Sequence, residues 1–290
     1  MGTMGAEDRR PRPAPAGTHA RADSIDPMDD LHVAIEAAKA GGDVIRRFFG
    51  TPPDPHYKGK FYPVTAVDRA SEEAILDHIR LHRPDDSIMA EESGGTPSDG
   101  RQWIVDPLDG TVNFVHSIPQ VSVSVALYDG DQGLVGVVYD PLRDEMFSAS
   151  EGSGTRLNGH LISVSPTADL EHSVIATGFP YDHDEHADEL AVVLREVLAK
   201  VNGLRRFGSA ALDLAWVAAG RYEGYWELGI APWDGAAGII LVREAGGMVT
   251  DPLGRPSTPF KGLIVSSNGS IHDELRTIIE SWMPMRMIDP

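Results

Sequence analysis

The stretch Arg101-Gln-Trp-Ile-Val-Asp106-Pro-Leu-Asp109-Gly-Thr111 determines most of what this sequence predicts. Its apolar first half, Gln102–Val105, predicts a short β-strand that stops at Asp106. A proline then restricts the backbone, and Asp109 follows three residues after Asp106. The next two residues predict the start of a short helix, whose N–H groups suit a phosphate. The stretch therefore places two carboxylates and a helix start at one end of a buried strand.

Two other apolar segments also adjoin acidic residues. The strand predicted at 87–90 runs into Glu91-Glu92, and Asp234 precedes an apolar helix predicted at 235–245. Each segment alone fits a turn, a helix cap or a solvated surface. Together they place several carboxylates where they would repel one another without cations. Because the chain has no cysteine, and oxygen ligands suit hard cations, the sequence predicts Mg²⁺ or Mn²⁺ rather than zinc.

The proline between the two aspartates favours one more ligand. Pro107 removes a backbone donor and stiffens the turn, which frees the Leu108 carbonyl to point toward the same ions. Metal ions held by carboxylates with open coordination positions are typical of phosphoryl transfer. The sequence has neither a cysteine nor a Gly-x-Ser-x-Gly motif, so it predicts an attacking water rather than a covalent nucleophile.

Composition limits the class of partner. The 290-residue chain has 25 Lys+Arg against 44 Asp+Glu, a formal net charge of −19, which argues against a nucleic-acid partner. Hydrophobic residues make up 41%, and no run of about 18 apolar residues predicts a membrane span. Residues 1–27 mix charges and prolines without an apolar run, so they predict a disordered tail rather than a signal peptide. We expect a cytoplasmic protein.

Apolar periodicity predicts a layered α+β fold in two parts. Residues 28–180 are expected to form an N-terminal α+β half with most of the metal ligands, and 181–290 a C-terminal α/β half that completes the site. Residues 51–65 predict a loop. The predicted helices span 29–49, 68–82, 190–201, 210–219, 235–245 and 271–282. The predicted strands span 87–90, 102–105, 121–125, 134–139, 145–149, 173–177, 222–227, 248–250 and 262–266.

Six segments, in order, resemble the inositol monophosphatase family. The two signature blocks are WIVDPLDGTVNFVH at 103–116 and WDGAAGIILVREAGG at 233–247. The smaller matches are PVTAVD at 63–68, AEES at 90–93, TGFPY at 177–181 and FGSAALD at 207–213. The resemblance covers about residues 29–285. It implies an αβαβα sandwich of the sugar-phosphatase type, and a Mg²⁺-dependent, lithium-sensitive enzyme that is usually a homodimer.

The resemblance also implies a role for each matching position. The implied cofactor is two or three Mg²⁺ ions, with Mn²⁺ as a substitute. The implied metal ligands are Glu91, Asp106, Leu108 through its carbonyl, Asp109, Thr111 and Asp234. The implied catalytic residues are Asp68 and Thr111, which would orient and activate the attacking water, and Glu91. The implied substrate contacts are Asp109, Gly110, Thr111, Gly208, Ser209, Ala210 and Glu227, of which Gly110 and Thr111 would hold the phosphate.

The sequence departs from the family pattern before the second predicted helix. The family often has an acidic residue two positions before the Val-Thr pair, where this chain has Tyr62 followed by Pro63. Lys58 stands where the family has a lysine, and we expect it near the mouth of the metal site.

Four other residues are expected to have no part in catalysis. His183 and His186 lie in a polar run that predicts solvated surface. Arg206, next to Arg205, predicts a surface or interface salt bridge. Trp233 predicts core packing.

The sequence favours one function and leaves several open. The leading hypothesis is a Mg²⁺-dependent phosphomonoesterase acting on myo-inositol 1-phosphate or a similar polyol or sugar phosphate. Glu227 favours a hydroxyl-rich substrate, because a carboxylate accepts hydrogen bonds from vicinal hydroxyls. Fructose-1,6-bisphosphatase, histidinol-phosphatase and 3′-phosphoadenosine 5′-phosphate phosphatase activities remain open on the same scaffold. The non-enzyme alternative is a regulatory module that binds RNA polymerase or another protein assembly.

Overall fold

The computed structural model describes residues 1–2, 29–51 and 54–282. The α-helices in this part of the chain are α1 (Asp30–Phe48), α2 (Ala66–His82), α3 (Thr111–Val115), α4 (Ala187–Leu198), α5 (Ala210–Ala218), α6 (Pro232–Glu244) and α7 (His272–Trp282). The strands are β1 (His56–Gly59), β2 (Tyr62–Val64), β3 (Ser87–Ala90), β4 (Arg101–Asp109), β5 (Ser122–Asp129), β6 (Gln132–Asp140), β7 (Glu145–Ser150), β8 (Thr155–Leu157), β9 (His160–Leu161), β10 (Val174–Thr177), β11 (Gly203–Arg205), β12 (Gly224–Leu228), β13 (Met248–Thr250) and β14 (Leu263–Ser267).

The larger sheet has seven strands in the order β3-β4-β5-β6-β7-β8-β9. Its neighbours are antiparallel except for the parallel pair β3 and β4. Alternate side chains of a strand face opposite layers. Trp103 and Val105 pack with α1 and α2, whereas Ile104 packs with α5 and α6. The sheet is therefore buried on both faces.

The smaller sheet has five strands in the order β11-β10-β12-β14-β13. Tyr225 on β12 packs in the same core as α5 and α6, whereas its neighbour Trp226 packs with α4 and α7. The layers therefore run from α1 and α2 through the larger sheet, α5 and α6, and the smaller sheet to α4 and α7. This order confirms the layered αβαβα sandwich.

Two regions near the site differ from the sequence prediction, which also did not include strands β8, β9 and β11. Residues 51–65, predicted as a loop, contain the antiparallel hairpin β1–β2, in which His56 pairs with Val64. All side chains of β1 are exposed, so no alternating burial pattern marks this strand in the sequence. Strand β4 runs on to Asp109, whereas the sequence predicted its end at Val105, because the chain passes the proline in a bulge without leaving the sheet.

The division at residue 180 stays a prediction. Strand β10 precedes that point in the chain, yet it lies between β11 and β12 in the smaller sheet. The predicted tail, residues 1–27, lies outside the described residues except for its first two. In the part of the chain that the structure describes, the helices are too short or too polar to cross a membrane.

Candidate active site

A bulge in β4 brings Asp106 and Asp109 to the same side of the strand. Residues three apart on a regular strand point to opposite faces. Here Asp106 pairs with Ser124 and Asp109 with Ser122, so β4 uses one more residue than β5 over this interval. Pro107 lies inside the bulge, where the missing N–H costs no ladder hydrogen bond.

The third carboxylate of the site comes from the start of α6. Asp234 lies in the first turn of this helix, and its Oδ2 accepts a hydrogen bond from the Ala231 N–H at 3.3 Å. Asp106, Asp109 and Asp234 each place a carboxylate oxygen within 4.8 Å of the other two. The larger sheet and the central helix layer therefore form this cluster together.

The carboxylates of the cluster disfavour one another's charge. Burial raises the pKa of Asp106, Asp109 and Asp234, and neighbouring carboxylates raise it further for Asp106 and Asp234. Burial also raises the pKa of Glu91, which follows β3, to about 7. Such a set of buried oxygen donors fits hard divalent cations, which remove the repulsion.

A hydrogen-bonded pair adjoins the cluster. The Thr111 hydroxyl lies 3.0 Å from Asp68 Oδ1 and 3.1 Å from the Leu108 carbonyl oxygen, and it donates toward both. Asp68 Oδ2 accepts from the Thr65 N–H at 2.8 Å and from the Thr65 hydroxyl at 2.6 Å, in a capping box that begins α2. Asp68 is fully buried, and burial raises its pKa against these hydrogen bonds. The two residues predicted to act as a pair are therefore in contact.

Gly110 makes the turn between β4 and α3. It has a φ of +92°, which favours glycine, and a Cβ there would lie 2.8 Å from the Gln120 carbonyl oxygen. Helix α3 begins directly after it, as the sequence predicted.

A cavity of about 590 Å³ extends from the carboxylate cluster to β12. Glu227 on β12 accepts a hydrogen bond from the Tyr225 hydroxyl, and burial raises its pKa to about 7. The Ser209 hydroxyl donates to Asp109 Oδ2 at 2.6 Å, so Ser209 also fixes a residue of the cluster. The predicted substrate contacts all line this cavity: Asp109, Gly110, Thr111, Gly208, Ser209, Ala210 and Glu227.

Lys58 reaches the site from the side. Its Nζ lies 2.5 Å from Glu92 Oε1 and 3.9 Å from Glu91 Oε1, which places it next to a predicted metal ligand. Its direct partner is Glu92, so a role for Lys58 at the mouth of the metal site stays a prediction.

Three residues assigned to surface or core lie on the cavity wall: His183, Arg206 and Trp233. The His183 ring stacks on Phe61 with 4.8 Å between ring centroids. The Arg206 guanidinium lies 5.4 Å from the centroid of the Phe179 ring. His183 is therefore half-buried against an aromatic ring rather than fully solvated, whereas Arg206 is exposed, and its predicted surface or interface salt bridge stays a prediction.

Sequence reasoning missed Asp213 and the two tyrosines Tyr62 and Tyr181, which also line the cavity. Asp213 is 1% exposed, and its Oδ1 has no hydrogen-bond partner among the described residues. Its position one helical turn after Ser209 was the available signal, since residues four apart share a helix face. For Tyr62 the signal was its departure from the family pattern.

The family model described as the inositol monophosphatase family matches residues 26–282. The chain belongs to the inositol monophosphatase family. The Nus factor SuhB of Escherichia coli (strain K12) is 43% identical over 243 residues, 82% of this chain and 91% of that protein. The inositol-1-monophosphatase of Synechocystis sp. is 45% identical over 248 residues, 84% of this chain and 86% of that protein.

A solved structure has the same fold. The extragenic suppressor protein suhB from Bartonella henselae superposes with a TM-score of 0.81 at 40% identity, covering 87% of this chain and 98% of that one. Family membership supports phosphatase activity on a small phosphorylated substrate.

Proposed function

We propose that the protein is a Mg²⁺-dependent phosphomonoesterase that hydrolyses myo-inositol 1-phosphate or a similar polyol or sugar phosphate. The observation that carries the proposal is the buried cluster of Asp106, Asp109 and Asp234 next to the Thr111–Asp68 pair. The Synechocystis relative, named inositol-1-monophosphatase, supports this choice of substrate.

Two or three Mg²⁺ ions, or Mn²⁺ in their place, would be held by oxygen ligands alone. These ligands are Glu91, Asp106, Leu108 through its carbonyl, Asp109, Thr111 and Asp234. The chemistry that bound ions supply at such a site is polarisation of phosphate oxygens and a lower pKa for bound water. Asp109 is fixed for this role by the Ser209 hydroxyl and by the Ala211 N–H, which donates to its Oδ2 at 2.8 Å.

Thr111 and Asp68 would orient the attacking water. Because Thr111 donates its O–H toward Asp68, the lone pairs of its Oγ1 are free to accept a hydrogen bond from water in the cavity. A proton given up by that water can pass through the Thr111 hydroxyl to Asp68 Oδ1. The phosphate would lie against Gly110 and Thr111, on the same cavity wall.

The far end of the cavity would bind the substrate hydroxyls. Glu227 lies there beside Tyr225, and a carboxylate held in this way accepts hydrogen bonds from a polyol. Gly208, Ser209 and Ala210 form the adjoining wall. Fructose 1,6-bisphosphate and histidinol phosphate remain competing substrates on this scaffold.

A regulatory, protein-binding role is the second candidate function. The observation that favours it is the 43% identity to the E. coli protein named Nus factor SuhB. The two roles are compatible, because a partner surface need not overlap the cavity. A cytoplasmic location, a homodimer and lithium sensitivity complete the proposal.

The test is phosphate release with and without Mg²⁺ from myo-inositol 1-phosphate, fructose 1,6-bisphosphate, histidinol phosphate and 3′-phosphoadenosine 5′-phosphate. Asp106→Asn removes a cluster carboxylate, and Asp273→Asn is the matched control, because the Asp273 side chain is 94% exposed in the first turn of α7. We expect Mg²⁺-dependent release from the inositol ester that Asp106→Asn abolishes and Asp273→Asn preserves. Faster release from another ester by orders of magnitude would overturn the substrate, and no release from any would favour the binding role.

A further inference from the structure

Two segments far apart in sequence meet above the metal end of the cavity. Three consecutive residues of the β1–β2 hairpin region contact residues 181–184 in reverse order. Lys60 Nζ lies 2.6 Å from Asp184 Oδ2, and the Phe61 ring stacks on His183 at 4.8 Å. The rings of Tyr62 and Tyr181 lie 4.1 Å apart and 12° from parallel. We call these three pairs the clasp.

The clasp reaches Glu91, which adjoins the carboxylate cluster, through the Tyr62 hydroxyl. The Tyr62 hydroxyl donates to Glu91 Oε1 at 2.5 Å. The Lys58 ammonium lies 4.8 Å from the centroid of the Tyr62 ring and 3.9 Å from the same oxygen of Glu91. Glu91 is thus fixed through Oε1 on the side of the hairpin, while its carboxylate also contacts Asp106.

Tyr62 can hold Glu91 only if the hairpin itself is held. The side chains of β1 are all exposed, and β1 and β2 form a two-stranded sheet of their own. A two-stranded hairpin is marginally stable without further packing. The clasp adds to the packing that the buried Pro63 and Val64 give to β2, because the Tyr62 ring stacks on Tyr181, whose chain segment follows the smaller sheet at β10.

We propose that Tyr62 is a positioning residue that aligns the Glu91 carboxylate for the metal, and that its stack on Tyr181 holds it in place. The proposal rests on the metal site of the proposed function. Position 62 is where this chain departs from the family pattern. The family often has an acidic side chain there, whereas Tyr62 provides a neutral hydroxyl donor that orients a metal ligand.

The test uses metal affinity and protease access. Tyr62→Phe removes the hydroxyl and keeps the stack, whereas Tyr181→Leu removes the stack and keeps the hydroxyl. Tyr139→Phe is the matched control, because the Tyr139 hydroxyl also donates to a carboxylate, Asp144 Oδ1 at 2.8 Å, but lies outside the cavity lining. Mn²⁺ binding to the full chain is measured by calorimetry, and trypsin cleavage after Lys58 and Lys60 is mapped by mass spectrometry.

We expect Tyr62→Phe to weaken Mn²⁺ binding about tenfold, since a hydrogen bond to a charged group is lost, without faster cleavage. Tyr181→Leu should weaken binding and also speed cleavage after both lysines. In the double variant the two losses should not add, because Tyr181 acts through Tyr62.

Three outcomes have different meanings. If Tyr62→Phe binds Mn²⁺ as tightly as the wild type, or if Tyr139→Phe loses as much Mn²⁺ affinity as Tyr62→Phe, the positioning role of Tyr62 is overturned. Additive losses in the double variant would overturn the dependence of Tyr62 on the stack. If the wild-type protein binds no Mn²⁺ at all, the proposed metal site fails, which is a separate result from the failure of Tyr62.

Discussion

The Asp68 carboxylate is fully buried next to other acidic residues, and Thr65 and Thr111 donate hydrogen bonds to its two oxygens. The Thr65 N–H and hydroxyl bind one oxygen, and the Thr111 hydroxyl binds the other. These donors stabilise the charged form, whereas burial opposes it. Thr111 lines the cavity and Asp68 does not, so any effect of Asp68 on a bound substrate passes through Thr111.

This arrangement predicts a loss of rate without a loss of metal. Asp68→Asn keeps an oxygen for the Thr65 donors but replaces the acceptor charge behind Thr111. We expect kcat for myo-inositol 1-phosphate to fall by about 10²–10⁴-fold, the usual size of a general-base contribution, with Mn²⁺ affinity within about twofold of wild type. Steady-state kinetics and calorimetry on the same sample measure both. A variant that lost rate only because it lost metal would contradict this role.

For Asp106→Asn, the repulsion among the cluster carboxylates predicts a gain of stability without metal and a loss of metal binding. Since burial raises the Asp106 pKa above its ordinary value of 3.8, ionising it costs the folded state free energy, and the metal-free protein should lose stability as pH rises above 3.8. Asp106→Asn should therefore raise the melting temperature in EDTA at pH 7.5 by about 2–4 °C for each kcal/mol relieved. It should also abolish the increase that Mg²⁺ gives the wild-type protein. Thermal unfolding in EDTA and in Mg²⁺ tests both, and a destabilised variant in EDTA would count against the repulsion.

At the scale of elements, the sequence predicts which residues are metal ligands but not how their side chains are oriented. Asp106 and Asp109 are visible as acidic residues at the end of an apolar strand. Their common orientation comes from a bulge, which depends on how β5 pairs with β4 and is not encoded by local periodicity. The β1–β2 hairpin was missed for a similar reason, since its stability depends on contacts such as Tyr62 with Tyr181, which are distant in sequence.

The turn that joins β4 to α3 gives an element-scale prediction with an internal control. Gly110 and Gly50 have similar positive φ angles, +92° and +85°. A Cβ at Gly110 would lie 2.8 Å from the Gln120 carbonyl oxygen, whereas a Cβ at Gly50 would meet no described atom within 4 Å. Gly50→Ala should cost only the conformational strain, about 1–2 kcal/mol, and Gly110→Ala should cost more and also abolish phosphate release. Denaturant unfolding compares them, and equal costs would show that the turn can relax.

The junction of β13, β14 and α7 predicts a pH effect on stability. His272 Nδ1 and Nε2 lie 2.9 Å from the hydroxyls of Ser267 and Thr250, and burial lowers the His272 pKa below 6.5. The unfolded chain therefore takes up a proton at a higher pH than the folded one, so this contribution is present above pH 6.5 and is lost as pH falls. The difference in unfolding free energy between wild type and His272→Gln should shrink from pH 7.5 to 5. A difference that grows toward acid would contradict the neutral histidine.

At the scale of the whole molecule, the site exists only where the layers meet. Asp106 and Asp109 lie on the larger sheet, Asp234 on the central helix layer, and Glu227 on the smaller sheet. Helices α5 and α6 share one core with both sheets, and Ile104 of β4 and Tyr225 of β12 belong to it. The layered α+β class could be predicted from alternating elements, but this shared core could not, because it depends on how the two parts of the chain pack.

A shared core predicts that the two halves do not fold independently. We expect a chain ending at residue 180 to unfold without cooperativity and to bind no Mn²⁺ saturably, because it lacks both Asp234 and the α5–α6 layer that covers Ile104. Asp234→Asn in the full chain is the control: it removes the ligand and keeps the layer, so it should lose Mn²⁺ affinity yet unfold in one transition. Co-expression of residues 181–290 should restore both properties to the shorter chain. Cooperative unfolding of residues 1–180 alone would instead show that the larger sheet needs only α1 and α2, and that the halves are separate domains which meet at the metal site.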